Sequence, residues 1–170
     1  MNGTYNFLTS STTSTAIGGT LVLSFYGTSV PDIWLSPANY NSSGVYIGSV
    51  TTTVSGSSIT GEWLQIRLPY TLYVTTYSVN ANINGGPSWN YLFPKSFTLC
   101  GSNDGSTWTT IDSRSGLTCN SNGLNTFTAP VPSPLVGYRY FRLIGQQIGV
   151  GSGQDFRMGV CVGIQGTYRG

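Results

Sequence analysis

The segment "EWLQIRL" at residues 62–68 decides the fold class, because apolar and polar side chains alternate along it. Successive side chains of an extended strand point to opposite faces. One face then carries Glu62, Leu64, Ile66 and Leu68. The other face carries Trp63, Gln65 and Arg67. A period of two predicts a β-strand with one buried face.

Further short segments with strand-like composition lie on both sides of this one. They are "LVLSFY" at 21–26, "LYVTTYSV" at 72–79, "YRYFRLI" at 138–144 and "VCVGI" at 160–164. Gly, Pro, Asn and Ser bound these segments, and no stretch keeps a helical stripe for three turns. The sequence predicts an all-β chain in which two antiparallel sheets pack as a jelly-roll β-sandwich of about eight main strands.

The segment "PKSFTLCGSNDGSTWTTID" at 94–112 predicts a hairpin. Its turn is Asp104-Gly105, a pair that tolerates the positive φ of a tight turn. We expect Phe97 and Leu99 to face the core, with Trp108 and Thr110 on the partner strand and Asp112 just after it.

Length and composition indicate one domain over residues 1–170. Residues 1–30 form either its first strand or an arm that reaches a neighbour. Only 7% of the residues are charged and the net charge is +2. The few basic residues form no stripe, so binding to nucleic acid is excluded. A weakly charged surface favours association with other copies or other proteins.

Three cysteines, Cys100, Cys119 and Cys161, form no CxxC spacing, so neither a disulfide framework nor a zinc site is predicted. We expect buried free thiols, and leave open whether Cys100 and Cys119 pair. The amino terminus has no signal-like segment and no segment is long enough to span a bilayer, so we expect synthesis in a cytosol-like compartment.

Three motifs together resemble a discoidin domain, the coagulation factor 5/8 C-terminal type. They are "GEWLQIRLP" at 61–69, the hairpin at 94–112 and "YRYFRL" at 138–143. The segment "DIWLSPANYNSSGVYIGS" at 32–49 is similar to the variant found in proteins of large double-stranded DNA viruses. The resemblance covers about residues 32–166. It implies a galactose-binding-domain-like sandwich without catalytic activity, whose loops at one end bind glycans or lipid head groups.

The resemblance also implies a structural calcium ion, held by an early loop and an acidic residue near the last strand. Asp32 matches the early loop. Val160 and Cys161 stand where a glutamate is expected. We therefore predict no cofactor and no metal, with Asp32 as the single candidate ligand for calcium.

Catalytic chemistry has few residues to use in this chain. Histidine is absent, which removes the common nucleophilic triads. The carboxyl groups are limited to Asp32, Glu62, Asp104, Asp112 and Asp155. The glycine-rich segment at 149–153 precedes no helical pattern, so it predicts a flexible loop within 145–156 and no phosphate site. We predict that the chain is not an enzyme.

The loop at 80–94 is the candidate ligand site, since flat aromatic rings stand there beside amide groups. Its residues are Asn82, Asn84, Trp89, Asn90 and Tyr91. Stacking rings with amide donors and acceptors suit a sugar. The same aromatic residues suit a protein contact equally well.

Other aromatic and basic residues are expected to be structural. Trp63 and Trp108 pack in the core or against the sheets, and Trp34 is expected either to do the same or to lie under a loop at the edge of a sheet. Arg142 pairs with a carboxylate or with carbonyls inside the sandwich, whereas Arg139 is exposed.

The leading functional hypothesis is a non-enzymatic structural or surface component of a large DNA virus particle. It would be a minor capsid, vertex or fibre protein, made in the host cytoplasm, located in the virion and packed against other copies or other virion proteins. The alternative is a glycan-binding adhesion module at the cell surface, with cell-surface glycans as partners. A third reading, lipid binding, depends on Phe93 as an apolar spike beside Lys95.

Overall fold

The computed structural model describes residues 5–11, 34–81, 91–120, 124–132, 135–151 and 156–168. Within these ranges the chain forms ten strands. They are β1 (Asn6–Thr9), β2 (Trp34–Leu35), β3 (Thr51–Val54), β4 (Ser57–Thr60), β5 (Glu62–Asn80), β6 (Pro94–Ser102), β7 (Thr109–Arg114), β8 (Thr126–Thr128), β9 (Tyr138–Ile148) and β10 (Gly159–Tyr168). The predicted all-β class is confirmed.

Strand β5 connects the two layers of the molecule. Its first half pairs with β1 and β9, and its second half pairs with β10 and β8. The sequence predicted two separate strands here, and that prediction was wrong. Pro69 has no backbone N–H to donate, so the ladder with β9 shifts register between Arg67 and Leu72 while the chain stays extended.

The layers follow from these pairings. One layer has the order β1-β5-β9-β6-β7, and the other has the order β2-β10-β5-β8. The side chains between them are fully buried, among them Leu64, Val79, Phe97, Leu143 and Val162. The pattern at 62–68 placed Leu64, Ile66 and Leu68 correctly on the core face. The fold is the predicted jelly-roll sandwich.

The hairpin of β3 and β4 covers part of the outer face of the first layer. Below it, Trp108 packs with Val54, Cys100 and Ile144, and Trp63 lies against the same cluster. The predicted structural role of Trp63 and Trp108 is confirmed. Of the two positions expected for Trp34, the structure shows the core: it is a buried core residue of β2.

The partners of Arg142 differ from the prediction. Its Nε and Nη2 donate to Oε1 of Gln65, at 3.1 and 2.7 Å, and its Nη1 donates to the hydroxyl of Thr52 at 2.9 Å. None of the described carboxylates takes part, because the outer face of this layer carries an amide and a hydroxyl at that level. Burial lowers the pKa of Arg142 to about 10. Arg139 is exposed, as predicted.

The predicted hairpin is confirmed as β6 and β7. Phe97 and Leu99 are fully buried, and Gly105 has a φ of 77°. Oδ1 of Asp104 accepts hydrogen bonds from the backbone N–H groups of Ser106 and Thr107, both at 2.7 Å. These bonds hold the pKa of the Asp104 carboxyl well below its usual range.

Asp112 does not follow the strand as predicted but lies within β7 and is buried. Its Oδ2 accepts a hydrogen bond from the hydroxyl of Tyr77 at 2.7 Å and pairs with Arg114 at 2.8 Å. The hydroxyl and the guanidinium together compensate the carboxylate for the loss of water. Burial, and then the hydrogen bond to Asp112, raise the pKa of Tyr77.

The described residues decide two further expectations and leave a third untested. Strand β9 continues to Ile148, so the loop predicted at 145–156 begins at Gly149. Phe93 is 1% exposed, so it is not the apolar spike of a lipid-binding domain. The segment 21–26, predicted as a strand, lies outside the described residues.

The three cysteines are free thiols, so Cys100 and Cys119 do not pair. Cys100 and Cys161 are buried as expected, and Cys119 is half-buried. Burial raises the pKa of Cys100 from its ordinary value of 9.0 to about 12. A search of the described residues for a helix able to cross a membrane finds none.

Candidate functional site

Three segments, residues 39–47, 91–93 and 149–151, lie at one end of the sandwich. We call this end the loop end. Strand β5 starts there, with Glu62 opposite Gly145, and its second half ends there, with Asn80 opposite Cys161. Of the predicted site at 80–94, residues 91–93 belong to the loop end.

Backbone hydrogen bonds join these segments. The N–H of Ile148 donates to the carbonyl of Gly44 at 2.8 Å, and the N–H of Gly149 donates to the carbonyl of Phe93 at 3.0 Å. A Cβ at Gly44 would lie 2.3 Å from the carbonyl oxygen of Ile148, and the φ of Gly44 is 75°. Only glycine meets both requirements, so this contact is fixed by the sequence.

Tyr91 is the one predicted site residue within the described ranges. Its half-buried ring packs against the cluster of Leu35, Leu92 and Cys161. A Cβ at Gly151 would lie 3.0 Å from Cδ1 of the ring, so Gly151 lets the chain approach it closely. Tyr91 is thus held in place at the loop end, and the residue is partly exposed there.

The other predicted site residues, Asn82, Asn84, Trp89 and Asn90, lie outside the described residues. Whether they adjoin Tyr91 stays a prediction. Asp32 and Asp155 lie outside them as well.

The segment 39–47 forms a compact loop at the loop end. Oδ1 of Asn41 accepts from the N–H groups of Ser43 and Val45, at 2.9 and 3.0 Å. The rings of Tyr40 and Tyr46 pack edge to face with centroids 5.4 Å apart. These contacts give the loop a fixed shape.

Three apolar side chains are exposed at the loop end: Val45 at 44%, Ile47 at 65% and Val150 at 56%. Sequence reasoning missed them, because alternation in a loop does not indicate which side chains turn outward. A rigid rim of mixed apolar and amide groups is suited to contact an uncharged ligand.

Glu62 lies beneath the loop end and links it to the first strand. Its side chain is completely buried. Oε2 accepts from the hydroxyls of Ser10 and Ser11, while Oε1 accepts from Nδ2 of Asn39 at 2.8 Å and from the hydroxyl of Tyr46 at 3.3 Å. Four donors compensate this carboxylate for its lost hydration. The alternation placed Glu62 inward but gave no sign of this network.

The charge of Glu62 also acts on a neighbouring phenol. The pKa of Tyr40 is raised well above its usual range, chiefly by burial and then by the negative charge of Glu62. Tyr40 therefore remains a neutral donor, and its hydroxyl donates to the carbonyl of Gly145 at 3.0 Å.

Each described carboxyl group has structural partners. Glu62 and Asp112 are buried in hydrogen-bond networks, and Asp104 caps the β6–β7 turn. Within the described ranges, no three His, Cys, Asp or Glu side chains come close enough together to hold a metal ion. At the position where calcium would need an acidic ligand, Val160 and Cys161 are buried in β10.

Comparison with known proteins gives matches among solved structures alone: no family model matches and no curated protein matches. The family 32 carbohydrate-binding module of Streptococcus pneumoniae EndoD is similar at 15% identity and a TM-score of 0.58, over 97% of this chain and 96% of that one. An F5/8 type C domain of a Bacteroides fragilis protein is similar at 12% identity and a TM-score of 0.57, over 94% and 89%. The family 32 module of Clostridium perfringens NanJ, solved in complex with galactose, is similar at 13% identity and a TM-score of 0.53, over 94% and 92%.

At this level of identity, the similarity shows the fold. The chain has the sandwich of family 32 carbohydrate-binding modules and F5/8 type C domains, which is the discoidin-like fold that the three motifs predicted. These three similar structures come from bacteria, and the resemblance to a viral variant stays a prediction.

Proposed function

We propose that this chain is a non-catalytic glycan-binding module whose ligand contacts the loop end. The observation that carries the proposal is the position of Tyr91. This partly exposed residue is held between an apolar cluster and Gly151, at the end of the sandwich where two further segments meet. A fixed aromatic ring provides a face for the C–H groups of a sugar with little loss of side-chain entropy.

The surrounding chemistry supports a neutral ligand. The segments 39–47 and 80–93 contain no charged residue, and they are rich in asparagine, serine and tyrosine. Amide and hydroxyl groups match the hydroxyl groups of a sugar as donors and acceptors. The occurrence of this fold in carbohydrate-binding modules, one of them solved with galactose, supports the same conclusion by analogy of fold.

A glycan array probed with the purified chain tests the proposal, followed by titration calorimetry of the strongest ligand. We expect Tyr91→Ala and Trp89→Ala each to weaken binding by about tenfold or more, the equivalent of about 1.4 kcal/mol. Tyr168→Ala is the matched control. It removes an exposed tyrosine at the far end of β10 and should leave the affinity unchanged.

Absence of binding across a broad array would contradict the proposal. The structural role in a virus particle would then be the stronger of the two sequence-based hypotheses. That role and the virion location remain predictions, as does the cell-surface location of a glycan-binding module.

A further inference from the structure

Three exposed residues of the loop end are aliphatic, namely Val45, Ile47 and Val150. Tyr46 lies between the first two and is buried, so Val45 and Ile47 point to the same outer side of their segment. Single exposed aliphatic residues are ordinary on a protein surface. Three of them at one end of the sandwich, beside the proposed ligand site, provide an apolar surface for part of a ligand.

Val150 connects this apolar surface with Tyr91. A Cβ at Gly44 would lie 3.3 Å from Cγ1 of Val150, so the side chain of Val150 packs against the residue that precedes Val45. The next residue along the chain, Gly151, lies against the ring of Tyr91. The side chains of Val45 and Val150 therefore stand close to the ring that carries the proposed function.

Most polar side chains of the segment 39–47 bond to the protein itself. Asn39 and Tyr46 donate to the buried carboxylate of Glu62, at 2.8 and 3.3 Å. The hydroxyl of Tyr40 donates to a backbone carbonyl, and Oδ1 of Asn41 accepts two backbone N–H groups. The loop thus directs these polar atoms inward and its aliphatic side chains outward.

We propose that the loop end selects a 6-deoxyhexose over the parent hexose, which carries a hydroxyl group at C6. This inference rests on the proposed function. The C6 methyl group contacts Val45 and Val150 while the C–H groups of the sugar ring stack on Tyr91. Ser42 and Ser43 are exposed in the same loop and supply hydroxyls for the remaining polar groups of the sugar.

The selection follows from the cost of placing a hydroxyl against an aliphatic surface. A CH₂OH group in contact with Val45 and Val150 loses part of its hydration and gains no hydrogen bond from them. A methyl group loses no hydrogen bond, and its contact with the two valines is favourable. Because an apolar site rejects an added hydroxyl only moderately, and this site is open to solvent, we expect a preference of about 5–20-fold.

Titration calorimetry with matched pairs of sugars tests the selection. The pairs are 6-deoxy-D-galactose with D-galactose, 6-deoxy-L-galactose with L-galactose, and 6-deoxy-D-glucose with D-glucose. In each pair that binds, the 6-deoxy sugar should have a dissociation constant about 5–20-fold lower. Equal affinities, or a positive glycan array with no binding to any of these pairs, would overturn the selection and leave glycan binding intact. A silent array would contradict both proposals.

Substitution of valine by threonine locates the contact, because threonine keeps the branched shape and adds a hydroxyl. Val45→Thr and Val150→Thr should each reduce the preference for the 6-deoxy sugar to about twofold or less. Val131→Thr is the matched control. It makes the same change at an exposed residue that lines a groove with Tyr138, at the opposite end of β9 from the loop end. An unchanged preference in the first two variants, or an equal loss in all three, would contradict the proposal.

Nuclear Overhauser contacts between the sugar and the protein give a readout that does not depend on any variant. In a chain with labelled valine methyl groups, the C6 methyl of the bound 6-deoxy sugar should show contacts to Val45 and Val150. The C–H groups of the sugar ring should show contacts to Tyr91. A C6 methyl group with contacts to neither valine would overturn the placement.

Discussion

The guanidinium carbon of Arg142 lies 3.8 Å from the centre of the Trp63 ring, on the outer face of the first layer. The ring of Trp108 lies 4.2 Å away from the same carbon. The planar cation is thus enclosed by two indole rings while its N–H groups bind Gln65 and Thr52. This arrangement attaches the β3–β4 hairpin to the sandwich.

Replacement of Arg142 tests that role. Arg142→Lys keeps the charge but loses the planar contact with both rings and the paired bonds to Gln65. We expect the free energy of unfolding to fall by about 1–3 kcal/mol. Arg139→Lys, at an exposed position, should change it by less than about 0.5 kcal/mol. Urea denaturation of both variants measures the difference, and equal effects would contradict a structural role for the enclosed cation.

Glu62 is predicted to hold the loop end to the amino-terminal strand. In Glu62→Gln, an amide nitrogen replaces one of the two acceptor oxygens. One pair of donors then loses its partner: either the hydroxyls of Ser10 and Ser11, or the side chains of Asn39 and Tyr46. We expect a loss of stability of about 2–4 kcal/mol.

A double-mutant cycle separates this network from a general effect on packing. Ser11→Ala alone should cost about 1 kcal/mol, and its effect should largely disappear in the background of Glu62→Ala, which removes both acceptor oxygens. Additive effects of the two substitutions would show that the hydroxyl and the carboxylate do not interact.

The raised pKa of Cys100 predicts a loss of stability at alkaline pH. The thiol ionises near its ordinary value of 9.0 in the unfolded chain and near 12 in the folded one. Below pH 9 the thiol is protonated in both states, so Cys100 makes its full contribution to the free energy of unfolding. Above pH 9 the thiol ionises in the unfolded chain alone, and this ionisation stabilises the unfolded state. The contribution of Cys100 should therefore fall by about 1.4 kcal/mol per pH unit between these two values.

Comparison with Cys100→Ala isolates this effect from other groups. The raised pKa values of tyrosines such as Tyr40 and Tyr77 also lower the free energy of unfolding at high pH. The lowered pKa of Arg142 raises the free energy of unfolding at high pH. All three remain in the variant. The difference in unfolding free energy between the two proteins should be constant from about pH 6 to about pH 8 and shrink above about pH 9. A constant difference up to about pH 11 would contradict the prediction.

The sequence predicted the layers of this fold better than its connections. Alternation at 62–68 identified the core face of β5, because one register buries every second side chain. It did not show that β5 continues past Pro69 into the other layer, since proline interrupts a ladder of hydrogen bonds without ending the extended chain.

Of the candidate site predicted from the sequence, the described residues include Tyr91 alone. The turn chemistry and aromatic content of residues 80–94 indicated a binding loop, and the structure places Tyr91 at the loop end. Gly44 and Glu62 help to hold the loop end in place, and both belong to segments that are remote in sequence from Tyr91. Such contacts depend on how distant strands pair, which no local pattern contains.

The most direct test of the central claim is a nuclear magnetic resonance titration of the labelled chain with the strongest neutral glycan from the array. The account predicts that amide shifts concentrate at Tyr91, at residues 39–47 and at residues 149–151, with little change along β7 or at the end of β10. Shifts confined to those distant strands, or a spectrum unchanged at saturating sugar, would contradict it.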